Sequence, residues 1–369
     1  MRGPLPHSFA FPYTQCHMST KKPARIIVSG IQPSGKLHIG NYVGAVRNWL
    51  ELQKQGLKPL FFIADYHSIT GNYSPAEKRA EILNLATDLL ALGIDPRKST
   101  LFVQSDVPEH TELCWIFNTL TPVSFLERMT QFKDKAGNQS QNVNMGLFDY
   151  PVLQSADVLL YKGTDVPVGQ DQVQHVELTR DIARFFNNKY EVAFFPETKP
   201  HLTSIPKLRS ITDPLKKMSK SLGEKSYVAL TDTPEEILEK MKRAVTESTG
   251  MLSMTEAAVD EAISALGGAE GDEKLKGMAG VWNLIGLLRI FGKPGEAERF
   301  IASQPMRYGD LKALVATRIA EHFADFRKRR AALAKDPRKV RAILNAGAKK
   351  ARKIAQANMK EVRKIIGVR

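Results

Sequence analysis

The chain has 369 residues, 43% of them hydrophobic and 25% charged, which is ordinary globular composition and enough length for two domains. No apolar run approaches the length of a membrane span, and the two cysteines, Cys16 and Cys114, are too far apart for a disulfide framework or a metal site. These features fit a soluble, cytoplasmic protein in a reducing compartment, without membrane contact and with no metal ligated by the protein.

The net charge of +14 favours a polyanionic partner such as nucleic acid. The charge is uneven: Glu321 to Arg369 carries 16 Lys or Arg against four Asp or Glu, a local net of +12. Residues 1–24 are basic, rich in proline and free of acids, with no amphipathic period. They read as a disordered extension, or as a start placed too early with Met18 as the true one, rather than as a transit peptide.

Arg25 to Ser29 (RIIVS) predicts a buried strand, Gly30 to Gly40 a loop punctuated by Gly and Pro, and Tyr42 to Leu52 a helix. Pro59 to Ala64 is a second strand. Ser74-Pro75 with Glu77 predicts a capping box opening a helix that Gly93 ends. Thr100 to Gln104, Asp165 to Gly169 and Glu191 to Phe195 are further strands, with helical patterns between them. Strands alternating with helices give an α/β domain with a mostly parallel sheet, whose ligands bind outside the strands' carboxyl ends.

Beyond about Tyr227 no convincing strand remains. Asp336-Pro337 starts a helix whose apolar residues, from Val340 to Ile366, follow a helical period with lysines and arginines opposite; Gly347 interrupts the pattern. The apolar stripe is core. The basic face fits a tRNA-binding surface or a solvated face equally well.

Gly30 to Leu37 nearly matches a P-loop, but Leu37 stands where a hydroxyl should hold Mg²⁺ and Pro33 removes a backbone N–H. The adjoining His38-Ile39-Gly40-Asn41 reads better. A helix starting near Gly40 aims its N-terminal N–H groups at an anion, Gly40 lets a flat base approach, and His38 and Asn41 can both donate to phosphate oxygens. Far downstream, Lys217-Met218-Ser219-Lys220-Ser221 supplies two lysines on a loop able to close on a triphosphate.

As a pair these segments resemble the HIGH and KMSKS motifs of class I aminoacyl-tRNA synthetases, and the resemblance runs from about Arg25 to Ser221. It implies a Rossmann-like parallel-sheet catalytic domain over 25–226 and an all-helical, basic, tRNA-binding domain over 227–369. It implies ATP and Mg²⁺ carried by ATP, an aminoacyl-adenylate, a homodimer, and catalysis by His38, Asn41, Lys217 and Lys220.

Several stretches are similar to the tryptophan-specific members of that family: Ser29 to Gly35, Phe61 to Asp65 with His67, Leu126 to Lys133, and Tyr150-Pro151 through His175. The resemblance implies that Asp157 accepts the indole N–H, a donor-only group that needs one acceptor in an apolar wall. It also implies that Val166 and Val168 wall the indole, and that Tyr150, Gln32 and Gln172 meet the polar end of L-tryptophan. ATP would lie on Gln32, Pro33, Ser34, Gly40, Asn41, Gly169, Gln170, Asp171, Leu208 and Lys217 to Ser221, with Lys135 reaching phosphate. The chain departs from the pattern at Gln154, where some members carry methionine, and in a longer connection over Gly250 to Lys276. The rival readings are a nucleotidyltransferase that ignores tRNA, and a non-catalytic RNA-binding protein on the same fold.

Overall fold

A computed structural model describes residues 25–129, 143–169, 172–202, 208–267 and 271–368. The described residues open with β1 (Val28–Ile31), then α1 (Ile39–Asn41), a π-helical turn (Tyr42–Val46) and α2 (Arg47–Lys54). There follow β2 (Leu60–Ile63), α3 (Pro75–Leu92), β3 (Thr100–Val103), α4 (Glu109–Asn118), α5 (Val123–Glu127) and α6 (Met145–Leu159). The sheet ends with β4 (Asp165–Val168), α7 (Val173–Lys189) and β5 (Lys199–Leu202).

All strand pairs are parallel: β1 with β2, β2 with β3, and β4 with β5. A parallel bridge from Ile27 to Asp165 joins the two sets, giving the order β3-β2-β1-β4-β5. The order reverses between β1 and β4, so the ligand crevice of this Rossmann-like sheet opens beside the loop that leaves β1. Alternation along β2 feeds both faces. Phe61 and Ile63 enter one core, Leu60 and Phe62 the other. Trp49 pins α2 to the sheet by stacking on Phe61 at 4.3 Å and donating its indole N–H to Ser29 Oγ at 3.1 Å.

Three expectations need correction. The first strand runs on through Gly30, where the sequence predicts a loop: a side chain there would come 2.4 Å from the Phe62 ring on the neighbouring strand. Glu191 to Phe195 is not a strand. Asn187 caps that turn, its Oδ1 taking the Phe194 and Phe195 N–H groups at 3.1 Å and its amide donating to the Phe195 carbonyl at 2.8 Å, so the strand forms later, at β5. Ser74 precedes α3 without capping it by its side chain; Pro75 at the first turn and Gly93 at φ 114° mark the helix's ends as expected.

From Pro234 onward every regular element among the described residues is a helix: α8 (Pro234–Lys242), α9 (Glu256–Ala265), α10 (Glu273–Phe291), α11 (Glu296–Ala302), α12 (Tyr308–His322), α13 (Ala324–Ala334) and α14 (Pro337–Ile366). Helix α14 does not break at Gly347. That glycine lets the helix lie directly on the edge strand: a Cβ there would stand 1.9 Å from the Leu101 carbonyl oxygen. Val340 and Leu344 enter the core on one face of the sheet, and Ala348, Ala351, Ala355, Met359 and Val362 the core on the other. The C-terminal helix therefore wraps the β3 edge and shields it from pairing.

Candidate active site

His38 is the N-cap of α1. Its Nδ1 accepts the Gly40 N–H at 3.1 Å, and its own N–H donates to Asn41 Oδ1 at 3.2 Å, a reciprocal capping box. With Nδ1 used as acceptor, a neutral ring carries its proton on Nε2, which is left as a donor. Burial, with Lys220 and Lys217 nearby, lowers the His38 pKa to about 4, so the ring is neutral at pH 7. A Cβ on Gly40 would stand 2.9 Å from this ring and 3.7 Å from Met218 Sδ.

The second motif folds against the first. Met218 donates its N–H to the Leu208 carbonyl at 2.9 Å, and Arg209 and Lys217 form an antiparallel bridge, so the lysine loop leaves a short hairpin. Ser219 Oγ accepts the Ser221 N–H at 3.3 Å and opens a 3₁₀ turn at Lys220–Leu222. The chain then returns alongside the first loop: Ile39 N–H donates to the Val228 carbonyl at 3.0 Å, and Leu230 N–H to the Leu37 carbonyl at 2.9 Å. The Tyr227 and His38 rings lie 5.3 Å apart, Lys36 pairs with Glu224 at 3.2 Å, and the Lys220 ammonium reaches the Ser34 carbonyl. Burial lowers the Lys220 pKa to about 8, partly offset by Glu81 and Asp88.

Asp157 lies on α6, 1% exposed. Its Oδ1 accepts from Gln104 Nε2 and His110 Nδ1, each at 2.7 Å, and its Oδ2 from His67 Nε2 at 2.7 Å. A carboxylate only accepts, so both imidazoles present N–H to it. Gln104 is held in turn by the Tyr66 N–H at 3.2 Å, and His110 by the Tyr161 hydroxyl at 2.8 Å. Burial alone would raise the Asp157 pKa; the contacts with His110 and His67 outweigh it and hold the group at about 2. Three donors leave about one of a carboxylate's four lone pairs, on Oδ2.

The other expected residues lie as follows. Tyr150 is buried on α6, its hydroxyl 3.0 Å from His175 Nε2 and its ring 6.2 Å from that of His67. Val166 and Val168 share one face of β4 and pack with Val158 and Val176, next in sequence to Asp157 and on α7 respectively. Gln32 and Ser34 are exposed on the first loop and Pro33 is buried there, with the Ser34 N–H donating to the Gln32 carbonyl at 3.0 Å. Gly169 accepts the Gln172 N–H at 3.0 Å. Gln170, Asp171 and Lys135 lie outside the described residues. Sequence reasoning missed Gln104 and His110. Both are fully buried and polar, but nothing local distinguishes them from packed residues; only their convergence on Asp157 does.

A family model described as "tRNA synthetases class I (W and Y)" matches residues 20–264. A protein of Wolinella succinogenes named "Tryptophan--tRNA ligase" is 41% identical over 318 residues, covering 84% of this chain and 88% of its own. One of the same name from Gloeobacter violaceus is 50% identical over 224 residues, 60% of this chain and 66% of its own. Among solved structures, the tryptophanyl-tRNA synthetase of Campylobacter jejuni, complexed with ADP and tryptophan, is 32% identical, covers 92% of this chain and 99% of its own, and superposes with a TM-score of 0.76.

Proposed function

The chain belongs to the class I tRNA synthetases of the tryptophan and tyrosine group, and from that premise we propose that it is a tryptophan–tRNA ligase. It activates L-tryptophan with ATP, releasing pyrophosphate, and transfers the aminoacyl group to tRNA(Trp). The observation that carries the reading is the meeting of the two charged loops, with the Lys220 ammonium on the Ser34 carbonyl and the His38 ring beside Tyr227. A triphosphate lying in that angle meets the His38 Nε2–H from one side and Lys217 and Lys220 from the other.

In the first step the carboxylate of tryptophan attacks the α-phosphorus, and the bond to the β-phosphate oxygen breaks. Negative charge builds on the pyrophosphate, where the two lysines neutralise it. In the second step a hydroxyl of the tRNA's terminal ribose attacks the adenylate carbonyl and AMP leaves. The family's substrates supply the driving force. The protein's part is positioning and electrostatics, with no covalent enzyme intermediate. Mg²⁺ would come with ATP, neutralising its phosphates as the family's chemistry implies.

Asp157 supports the tryptophan assignment. Its three fixed donors keep the carboxylate ionised and oriented, and the remaining lone pair suits an indole N–H entering along the Val166–Val168 wall. Such a site rejects side chains without that donor by large factors, so editing is unnecessary. Tyr150, Gln32 and Gln172 then serve the amino acid's polar end, and Gly169, Gln170, Asp171 and Leu208 the nucleoside. We assign residues 25–226 to catalysis and 227–369 to tRNA binding, in a cytoplasmic enzyme.

A homodimer is supported by apolar side chains exposed on three neighbouring helices: Trp115 at 71%, Val123 at 60% and Met145 at 73%. Amino-acid-dependent ATP–pyrophosphate exchange tests the reading. Exchange is expected with tryptophan; robust exchange with tyrosine and none with tryptophan would overturn the specificity.

A further inference from the structure

The turn from Gln32 to Gly35 has little to hold its shape. Pro33 offers no N–H, Gly35 sits at φ 73°, and Ser34 and Gly35 are exposed. Two lysines from other elements reach it. Lys220 meets the Ser34 carbonyl, and Lys78 of α3 donates to the Pro33 carbonyl at 3.0 Å. Lys78 is unusual for a lysine, its side chain only 12% exposed. Its charge is balanced by Glu81, one turn along the helix at 2.6 Å, and its ammonium lies 5.9 Å from the centre of the Tyr73 ring.

We propose that Lys78, locked by Glu81, is a positioning residue for the ATP half-reaction: it clamps the Pro33 carbonyl so that the nucleotide turn is preformed opposite Lys220. The physical reason is preorganisation. An isolated turn with a left-handed glycine samples several shapes, and ATP would have to order it on binding. A charge-assisted hydrogen bond to a buried carbonyl does so beforehand, at the cost of burying one ion pair. Glu81 serves both ends of the device, since it also supports the ammonium of Lys220. Because the Lys78 ammonium is held by the Pro33 carbonyl and Glu81, its assigned part is to shape the turn and not to contact the transferred group.

The proposal rests on the reading that this turn binds ATP, and the test separates the two. Pyrophosphate exchange is measured for the full-length chain and for Lys78→Met, Lys78→Arg and Glu81→Gln, with ATP and tryptophan varied separately. Lys78→Met is expected to raise KM for ATP about tenfold, the loss of one charge-assisted hydrogen bond, with KM for tryptophan unchanged. Lys78→Arg, which can donate to the same carbonyl and pair with Glu81, restores most of the ATP affinity, and Glu81→Gln falls between. If Lys78→Met does not fold, Glu81→Gln, whose side chain keeps its size, carries the test through the same KM for ATP. A lowered unfolding midpoint with both KM values unchanged would mean a helix staple and nothing more, and would overturn the proposal. Absence of tryptophan-dependent exchange in the unmutated chain would instead count against the functional reading.

Discussion

Lys220 and Ser34, 186 positions apart in sequence, meet through the lysine's ammonium and the serine's backbone carbonyl. A carbonyl is a weaker partner for an ammonium than a phosphate oxygen. The lysine thus rests beside the turn proposed to take the nucleotide, on a contact that a triphosphate can displace, which suits a loop that must release its hold on one partner to grip another.

The role proposed for Lys220 predicts that catalysis is sensitive to alkaline pH. With the free protein's pKa near 8, the ammonium is present below that pH and is lost as pH rises through it. The ratio kcat/KM for ATP should therefore fall above about pH 8, well before an ordinary lysine titrates. Lys220→Met should remove that limb and reduce kcat for exchange on the order of 10²-fold. A pH–rate profile flat from pH 7 to about 10 in the unmutated protein would contradict the assignment.

Asp157→Asn should cost both binding and stability. The carboxamide puts an N–H₂ group where three donors now converge, leaving at least one buried donor without an acceptor. A loss of roughly 3–5 kcal/mol is expected in urea titrations, from breaking a buried charged network. Calorimetry on the folded fraction should find tryptophan binding abolished. A variant that is destabilised yet binds tryptophan normally would make Asp157 a structural residue.

The same aspartate shapes acid stability. An unfolded carboxyl titrates near about 3.9. The folded group stays ionised down to about 2. Its stabilisation is therefore fully present above about pH 4 and fades as pH falls toward the folded value. Asp157→Asn should flatten that part of the stability–pH curve, read from unfolding midpoints between pH 5 and about 2.5.

Gly347→Ala is a test of how α14 seats on the sheet. The new methyl would collide with the Leu101 carbonyl at 1.9 Å, so helix and strand must separate. A loss of about 2–3 kcal/mol is expected, in the range of overpacking. Gly286, inside α10 with nothing within 4 Å, is the control. Alanine there should stabilise by about 0.5–1 kcal/mol through helix propensity alone.

The basic face of α14 must be probed by charge and not by deletion. Removing the helix would uncover Val340, Leu344, Ala348, Ala351, Ala355, Met359 and Val362 and open the β3 edge, so lost activity would say nothing about RNA. Lys349, Lys353 and Lys360 are exposed and fall on one helical stripe. Changing all three to glutamate should raise KM for tRNA and reduce its salt dependence, while leaving pyrophosphate exchange intact. Unaltered tRNA kinetics would assign this face to solvent.

The sequence alone settled what local physics controls. Short apolar runs marked β1 to β4, Pro75 and Gly93 bounded α3, and Asp336 and Pro337 opened α14, because propensities and caps act over a few residues. Resemblance in two short segments was enough to name the chemistry, since loops that grip phosphate must carry their donors and cations at fixed spacing. Tertiary structure decided what depends on distant neighbours. Gly30 and Gly347 looked like breaks but are places where a ring and a carbonyl come too near for a side chain. Asn187 turned an apolar run away from the sheet, and Gln104, His67 and His110 became the keepers of Asp157. They lie 90, 53 and 47 positions from Asp157 for His67, Gln104 and His110 in turn, and only the packing of the turns after β2 and β3 and of α4 against α6 brings them within hydrogen-bonding reach of one carboxylate.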